Sequence, residues 1–362
     1  MNLTIQGGVM VGMAFAVAAG LVPALKGPAR RWGLVDHPCH RKRHHGQVPL
    51  TGGLAMFLAF IAALMVNLSW LGPYLSLLVG MAVLLTVGLL DDLFDIRAMY
   101  KLMAQVLVAT LMVYASGLEV NQLGRIFGLE LGPIGLGPLS VPFTVACVVF
   151  IINAFNMSDG LDGLAGGIGM YILMLLALAG WLDGAEPSYV IICLVLAMAV
   201  MGFLVYNLQS PFRNRATAFM GDAGSMMLGF AVAWLAIALA ERDTASVPPI
   251  TVAWLLLVPA TDILAVTLRR VLRGRSPMAA DRAHLHHIIL RCGFSVRNTV
   301  RLVHLAVLIA GGIGILGWRL AWPEWLLFGV AASIMAGYML VLINAHRLMR
   351  WRLRRLRRQK TI

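Results

Sequence analysis

Residues 74–95, YLSLLVGMAVLLTVGLLDDLFD, join an uninterrupted apolar run to a pair of adjacent aspartates. No side chain between Leu75 and Leu90 is charged. A helix of about 20 apolar residues is long enough to cross the roughly 30 Å hydrocarbon core of a bilayer. Carboxylates are costly inside lipid, so the two acids mark the point at which this segment leaves the membrane. The stretch predicts a membrane-spanning helix with a polar site at one end.

The rest of the chain has the same apolar character. Of its 362 residues, 60% are hydrophobic and only 12% are charged, whereas soluble domains carry about 25% charged residues. The four cysteines show neither C-x-x-C nor paired spacing, which argues against a disulfide framework or a zinc cage. The sequence therefore predicts an integral membrane protein. This hydropathy excludes a soluble nucleic-acid binder, even though the formal net charge is +13.

Apolar runs along the chain predict an all-α polytopic membrane protein with about eleven transmembrane helices. The runs lie at residues 5–25, 50–69, 74–90, 101–117, 139–157, 164–182, 188–207, 221–240, 249–268, 302–319 and 325–345. The first run has no Lys or Arg before Lys26, so we interpret it as a span with its N-terminus outside rather than as a cleaved signal peptide. Of the 29 basic residues, 26 then fall in cytoplasmic segments, as the positive-inside rule requires. The C-terminus is also predicted to be cytoplasmic.

The chain is predicted to form a single transmembrane catalytic domain, residues 1–345, followed by a basic cytoplasmic tail, residues 346–362. The tail, HRLMRWRLRRLRRQK, interleaves arginines with Leu, Met and Trp. This pattern is typical of a helix at a lipid interface. We therefore expect the tail to continue the last helix and to contact anionic lipid headgroups rather than nucleic acid.

The few acidic residues gather at the predicted cytoplasmic ends of the spans. Asp91 and Asp92 follow the third span, where the negative end of the helix dipole favours a metal or a basic partner such as Arg97 or Lys101. Residues 153–167, NAFNMSDGLDGLAGG, carry two amides and two carboxylates, which are hard oxygen ligands of the kind that Mg²⁺ uses. The alternative interpretation of this segment is a glycine-rich turn between two helices.

Two further motifs indicate anion binding. FMGDAGS (219–225) is typical of a helix start whose glycines expose backbone N–H groups to an anion. HLHH (284–287) could chelate a transition metal, but no cysteine stands at zinc-finger spacing and Arg282 lies nearby, so a phosphate clamp is preferred. Together the motifs predict phosphoryl transfer involving a lipid. A transporter would place its polar residues near the middle of the bilayer.

Four motifs in order resemble the polyprenyl-phosphate N-acetylhexosamine-1-phosphate transferases. They are GLLDDLFDIRAMYKLMAQ, NAFNMSDGLDGLAGG, FMGDAGS and DRAHLHHIIL, and the resemblance runs from about residue 33 to 292. It implies transfer of a sugar-1-phosphate from a UDP-N-acetylhexosamine to undecaprenyl phosphate, with release of UMP. It also implies Mg²⁺, with Mn²⁺ as an alternative, because both metals accept oxygen-rich sites. The expected location is the bacterial cytoplasmic (inner) membrane, with the site on the cytoplasmic face and a role in starting an envelope polysaccharide such as lipopolysaccharide O-antigen.

The resemblance assigns roles to individual residues. Asp222 resembles the principal Mg²⁺ ligand of the family, and Asn156 resembles a second ligand. Asp91 and Asp92 match the catalytic acidic pair, whose division of roles stays open, and Lys101 matches a lysine at the phosphates. The implied substrate-binding residues are Asp159, Asp162, Phe219, Arg282, His284, His286 and His287, with Asp162 and Phe219 at the uracil.

The HLHH sequence and the acid at Asp95 resemble the branch of the family that uses UDP-N-acetylglucosamine. Three alternatives stay open: the same chemistry on a sugar such as UDP-N-acetylfucosamine or -quinovosamine, a transporter of nucleotide sugars or lipid-linked sugars, and an inactive scaffold. No nucleic acid is expected as a partner, and a homodimer is left open.

Overall fold

The computed structural model describes residues 3–36, 47–128, 132–209, 213, 215–241, 247–274, 276 and 284–359, with backbone alone at 3–4 and 344–359. The helices are α1 Leu3–Ala24, α2 Lys26–Arg31, α3 Gly52–Leu64, α4 Leu75–Phe94, α5 Ala98–Ser116, α6 Ser140–Ser158, α7 Leu164–Leu182, α8 Pro187–Asn207, α9 Gly221–Ala240, α10 Pro249–Leu255, α11 Leu257–Val271, α12 Leu285–Arg291, α13 Val296–Arg319 and α14 Glu324–Gln359. Within these ranges the strands are β1 Val35–Asp36 and β2 Val48–Pro49, an antiparallel pair. The all-α prediction is confirmed.

The spans of the structure follow the apolar runs of the sequence. Among the described residues, nine helices are long and apolar enough to cross a membrane, and the pair α10–α11 makes a tenth if it is counted as one bent span. The predicted runs 164–182 and 221–240 coincide with α7 and α9. The second run was predicted too long, because α3 ends at Leu64 after 13 residues, or about 20 Å of helix. The protein is therefore a polytopic membrane protein.

The ninth predicted span is broken rather than straight. Helices α10 and α11 meet at Leu256 with a bend of 78°. Pro259 lies in the first turn of α11, and a proline has no N–H to donate to the carbonyl of Leu255, four residues earlier. The bend redirects α11, which carries the buried acid Asp262.

Helix α9 forms the centre of the bundle, and its first turn carries Asp222. Its residues are buried almost throughout, and it packs against α3, α4, α6 and α7. Small residues permit the closest of these contacts. A Cβ added at Gly88 of α4 would overlap the backbone of Asp222 and Ala223. Because α4 and α9 touch at this point, Asp91 and Asp92, one turn beyond Gly88, reach the start of α9.

Gly88→Ala is expected to lower the thermal stability of the purified protein in detergent. The added methyl group meets helix backbone rather than a flexible side chain, and overpacking of this kind costs about 1–3 kcal/mol. The matched control is Gly12→Ala in α1, where no atom lies within 4 Å of the added Cβ. Equal melting temperatures for the two variants would contradict the close α4–α9 contact.

The outer helices present apolar side chains outwards, as lipid contact requires. Leu107 on α5 is 56% exposed and Leu340 on α14 is 61% exposed. Helix α14 runs without a break to Gln359, so residues 346–359 continue the last helix as predicted. Contact of the tail with lipid headgroups stays a prediction.

Candidate active site

Two carboxylates and one ammonium group meet where α4, α5 and α9 come together. Lys101 Nζ lies 2.7 Å from Asp91 Oδ2 and 2.9 Å from Asp222 Oδ2. The side chains of Asp91, Lys101 and Asp222 are 8%, 22% and 34% exposed. Asp222 is thus the carboxylate of this cluster most accessible to a substrate. The sequence proposed Arg97 or Lys101 as the partner of the acidic pair, and the structure brings Lys101 to Asp91.

Asp92 has a different environment from its neighbour Asp91. Its Oδ1 accepts a hydrogen bond from the backbone N–H of Asp222 at 2.9 Å, and its Oδ2 accepts one from Ala223 at 3.3 Å. The carboxylate therefore caps the start of α9, where the positive end of the helix dipole stabilises a negative charge. Gly221 makes room for the carboxylate, since a Cβ at this position would overlap the Asp92 side chain. The φ of Gly221 is +68°, a backbone conformation that favours glycine. The anion expected at FMGDAGS is thus supplied by the protein itself.

Amide side chains on α6 contact both α9 and α5 close to the cluster. Asn156 interacts with Asp222, and its Nδ2 also donates to Ser225 Oγ at 3.0 Å. One turn earlier, Asn153 Nδ2 donates to Gln105 Oε1 at 2.6 Å. Gln105 is buried and lies one turn after Lys101 on α5. These amides fix the positions of α5, α6 and α9 relative to one another.

The turn between α6 and α7 is tied to the loop that precedes α9. Asp162 Oδ2 accepts hydrogen bonds from Gln209 Nε2 and from the backbone N–H of Ala216, both at 3.1 Å. Buried Asn207 accepts from the N–H of Gly163 at 2.8 Å and donates to the carbonyl of Ala218 at 2.9 Å. Both carboxylates of the predicted nucleotide site, Asp159 and Asp162, are half-buried in this turn.

The aromatic ring expected at the uracil belongs to Phe219, whose backbone is hydrogen-bonded at both its N–H and its carbonyl. Its N–H donates to the carbonyl of Pro49 at 3.0 Å, and its carbonyl accepts from Gly52 at 2.9 Å. The half-buried side chain packs beside Leu34 and Leu50. The β1–β2 hairpin and the start of α3 therefore hold this ring next to the start of α9.

We call His284, His286 and His287, at the start of α12, the histidine loop. It packs against the α6–α7 turn. His284 Nδ1 lies 2.9 Å from Asp262 Oδ2. The rings of His284 and His286 are stacked at 5.8 Å, and those of His286 and His287 are 4.2 Å apart. His286 is 3% exposed, and a Cβ at Gly160 would come within 2.7 Å of its Nε2. Arg282, the remaining predicted residue of this loop, lies outside the described residues.

The sequence of this chain is similar to those of known proteins. Residues 74–240 match the sequence family described as glycosyl transferase family 4. The chain is similar to proteins named undecaprenyl-phosphate alpha-N-acetylglucosaminyl 1-phosphate transferase. That of Salmonella typhi is 37% identical over 84% of this chain and 83% of its own length. Those of Escherichia coli K12 and Haemophilus influenzae are both 36% identical, over 86% and 92% of this chain and 84% and 94% of their own lengths. This chain belongs to glycosyl transferase family 4.

The oxygen atoms of this family 4 site fit a hard divalent cation. Asp91 Oδ1 is buried and has no hydrogen-bond partner among the described residues, and the Asp222 carboxylate, which interacts with Asn156, contacts the same Lys101 ammonium. Mg²⁺ is bound by one or two carboxylates and keeps water or phosphate oxygens as its other ligands. Within the described ranges, no group of three His, Cys, Asp or Glu side chains could hold a metal. A cation here would complete its coordination with water or phosphate oxygens.

Several residues that shape the family 4 site were missed in the sequence. Asp262 was overlooked although a single acid in the apolar run 249–268 is a signal of function. Gln105 lies one helical turn after Lys101, a spacing that places both on one face. Asn207, at the end of an apolar span, carried no comparable signal.

Acid is expected to destabilise this transferase partly through His286. Burial lowers the pKa of His286 to about 3, below its ordinary value of about 6.5. Between these values the unfolded state binds the additional proton, so this contribution to stability is complete above about pH 6.5 and is lost as the pH falls towards 3. The loss approaches about 1.4 kcal/mol per pH unit.

The check compares the melting temperatures of the wild type and His286→Gln across this pH range. The decrease on acidification is expected to be smaller in the variant, because glutamine does not titrate. An equal decrease in both proteins would show that His286 does not stay neutral in the folded state.

Proposed function

We propose that this chain transfers N-acetylglucosamine 1-phosphate from UDP-N-acetylglucosamine to undecaprenyl phosphate and releases UMP. The observation that carries the proposal is the identity of 36–37% over 84–92% of the chain to proteins named for this activity. The junction of Asp91, Lys101 and Asp222 supports it, because phosphoryl transfer depends chiefly on positioning and on compensating charge.

The donor would bind across the loops around the start of α9. In this proposal Phe219 stacks on the uracil and Asp162 contacts its edge, with Asp159 in the same turn. The diphosphate then lies towards Lys101 and the histidine loop. Lys101 is suited to this role because its ammonium already lies between two carboxylates and can exchange one of them for a phosphate oxygen.

Transfer requires one bond to form and one to break at the β-phosphorus. An oxygen of the lipid phosphate attacks the β-phosphorus, and the bond from that phosphorus to the bridging oxygen breaks as UMP leaves with the electron pair. A phosphomonoester has a second pKa of about 6, so the lipid phosphate is largely ionised at neutral pH and needs no strong base. Lys101 then acts by neutralising charge on the phosphates, and Asp91 by holding the Lys101 ammonium in place.

We propose Mg²⁺ as the cofactor, held by Asp222 with Asn156 and Asp91. When bound, it supplies charge neutralisation on the diphosphate. The positive-inside pattern of Lys and Arg supports a site on the cytoplasmic face of a bacterial inner membrane, where UDP-sugars would reach it. The product would start an envelope polysaccharide.

The test is UMP release by the purified protein in detergent, with Mg²⁺, undecaprenyl phosphate and a panel of UDP-N-acetylhexosamines. UMP that requires the lipid and appears only with UDP-N-acetylglucosamine is the expected result. Release from a different UDP-N-acetylhexosamine alone would keep the reaction but replace the donor. A folded protein that releases no UMP from any donor would overturn the proposal and favour a transporter or scaffold.

A further inference from the structure

Asp262 is a single carboxylate within the apolar helix α11, and it is 7% exposed. A carboxylate in such a position is unfavourable unless hydrogen-bond donors surround it. Asp262 has three donors: His284 Nδ1 at 2.9 Å, the backbone N–H of Leu285 at 2.7 Å and the Tyr338 hydroxyl at 2.6 Å. They come from the histidine loop and from α14. Asp262 thus joins three separate parts of the chain at one point.

The contact with Asp262 determines how the His284 ring is protonated. An ionised carboxylate only accepts hydrogen bonds, so the nitrogen that faces it, Nδ1, carries a proton. In the neutral ring Nε2 then has no proton and accepts a hydrogen bond. The geometry reserves this one nitrogen for contacts outside the Asp262 cluster.

The same contact fixes the location of the histidine loop. Oδ1 of Asp262 receives the N–H of Leu285 and the hydroxyl of Tyr338, while Oδ2 faces His284. The ring of His286 stacks on His284 and packs against Gly160 in the α6–α7 turn. The loop is held at one end by Asp262 and at the other by the turn that carries the predicted nucleotide-binding acids.

We propose that Asp262 and Tyr338 are positioning residues for the transfer reaction, acting through His284. This inference rests on the proposed function, in which the histidine loop contacts the phosphates. Asp262 orients the His284 ring and keeps the proton on Nδ1, so that Nε2 faces the substrate. Tyr338 holds the carboxylate in place from the last helix. Neither residue contacts the substrate.

The test compares three variants in the UMP-release assay. Asp262→Asn keeps the size of the side chain but presents an amide that can donate to Nδ1 and reverse the tautomer. We expect turnover to fall about 10- to 100-fold, as it does when the partner that orients a metal-ligating histidine is removed. Tyr338→Phe should give a smaller loss. The control is Thr261→Val, since Thr261 is equally buried on the same helix and its hydroxyl has no hydrogen-bond partner among the described residues. It should match the wild type.

Two measurements separate positioning from general stability. In a double-mutant cycle, Asp262→Asn should add no further loss to His284→Gln, because both changes remove the same function. The second measurement is nitrogen NMR of protein labelled at its histidines, in which the His284 signals are identified by their loss in His284→Gln. The signal of a protonated His284 Nδ1 should be present in the wild type and absent in Asp262→Asn.

Three outcomes would overturn the inference: wild-type turnover in folded Asp262→Asn, a double variant whose loss of turnover is the product of the two single losses, or an unchanged His284 signal. The two turnover outcomes require that the wild type is active. An inactive wild type would instead count against the proposed function, and the NMR result would still decide whether Asp262 sets the tautomer.

Discussion

Asp222→Asn is expected to abolish UMP release, lowering turnover by at least about 100-fold, the loss typical when one preorganised electrostatic group is removed from a site. The substitution keeps the shape of the side chain and removes its charge. Lys101 then loses one of its two carboxylate partners, and the proposed Mg²⁺ site loses its principal ligand. Because the Asp222 side chain is 34% exposed, water can solvate the groups left unpaired.

The folded state should therefore survive Asp222→Asn, with a melting temperature close to that of the wild type. The matched control is Asp95→Asn, which removes an acid from an exposed position at the end of α4, four residues after Asp91. It should release UMP at the wild-type rate. Normal turnover in Asp222→Asn would remove this residue from the mechanism.

Asp92→Asn is expected to lower turnover by a similar factor for a different reason. The Asp92 carboxylate accepts the N–H groups of both Asp222 and Ala223, whereas an asparagine offers one oxygen and turns an NH₂ group towards the second donor. Weakening such a cap costs up to about 2 kcal/mol and frees the turn that carries Asp222. A displacement of about 1 Å in a catalytic group can cost about 100-fold in rate.

The measurement is UMP release as a function of Mg²⁺ concentration, together with the melting temperature. If Asp92 acts through Asp222, the variant should require more Mg²⁺ and melt at a lower temperature than the wild type. A loss of turnover with unchanged Mg²⁺ dependence and stability would instead place Asp92 at the lipid phosphate. Full activity would show that neither role is needed.

Most of the architecture could be predicted from the sequence, because a span is a local property. Each helix satisfies its own backbone hydrogen bonds, and only an apolar run of sufficient length is stable in lipid. The predicted runs 164–182 and 221–240 therefore match α7 and α9 residue for residue. The early end of α3 and the 78° bend at Leu256 were not predicted, because hydropathy alone does not register a helix end or a proline in an apolar context.

The chemistry was predicted as a set of residues but not as an arrangement. The sequence placed Asp91, Asp92, Lys101 and Asp222 at the same end of the spans, and the structure brings them together. It did not divide the roles of the two adjacent acids. Neighbouring residues on a helix do not face the same way, so Asp91 meets Lys101 while Asp92 meets the start of α9.

The sequence by itself determined that this chain is a membrane-embedded helical bundle with an acidic, histidine-containing site at one end, and its four motifs were sufficient to indicate the family. Only the tertiary structure decided which groups are partners: Asp92 with the N–H groups of Asp222 and Ala223, 130 and 131 residues away, and Asp262 with His284 and Tyr338. The physical reason is that span formation depends on local hydropathy. The choice of partners depends instead on how closely helices pack, and glycines such as Gly88 allow α4 to approach the backbone of α9.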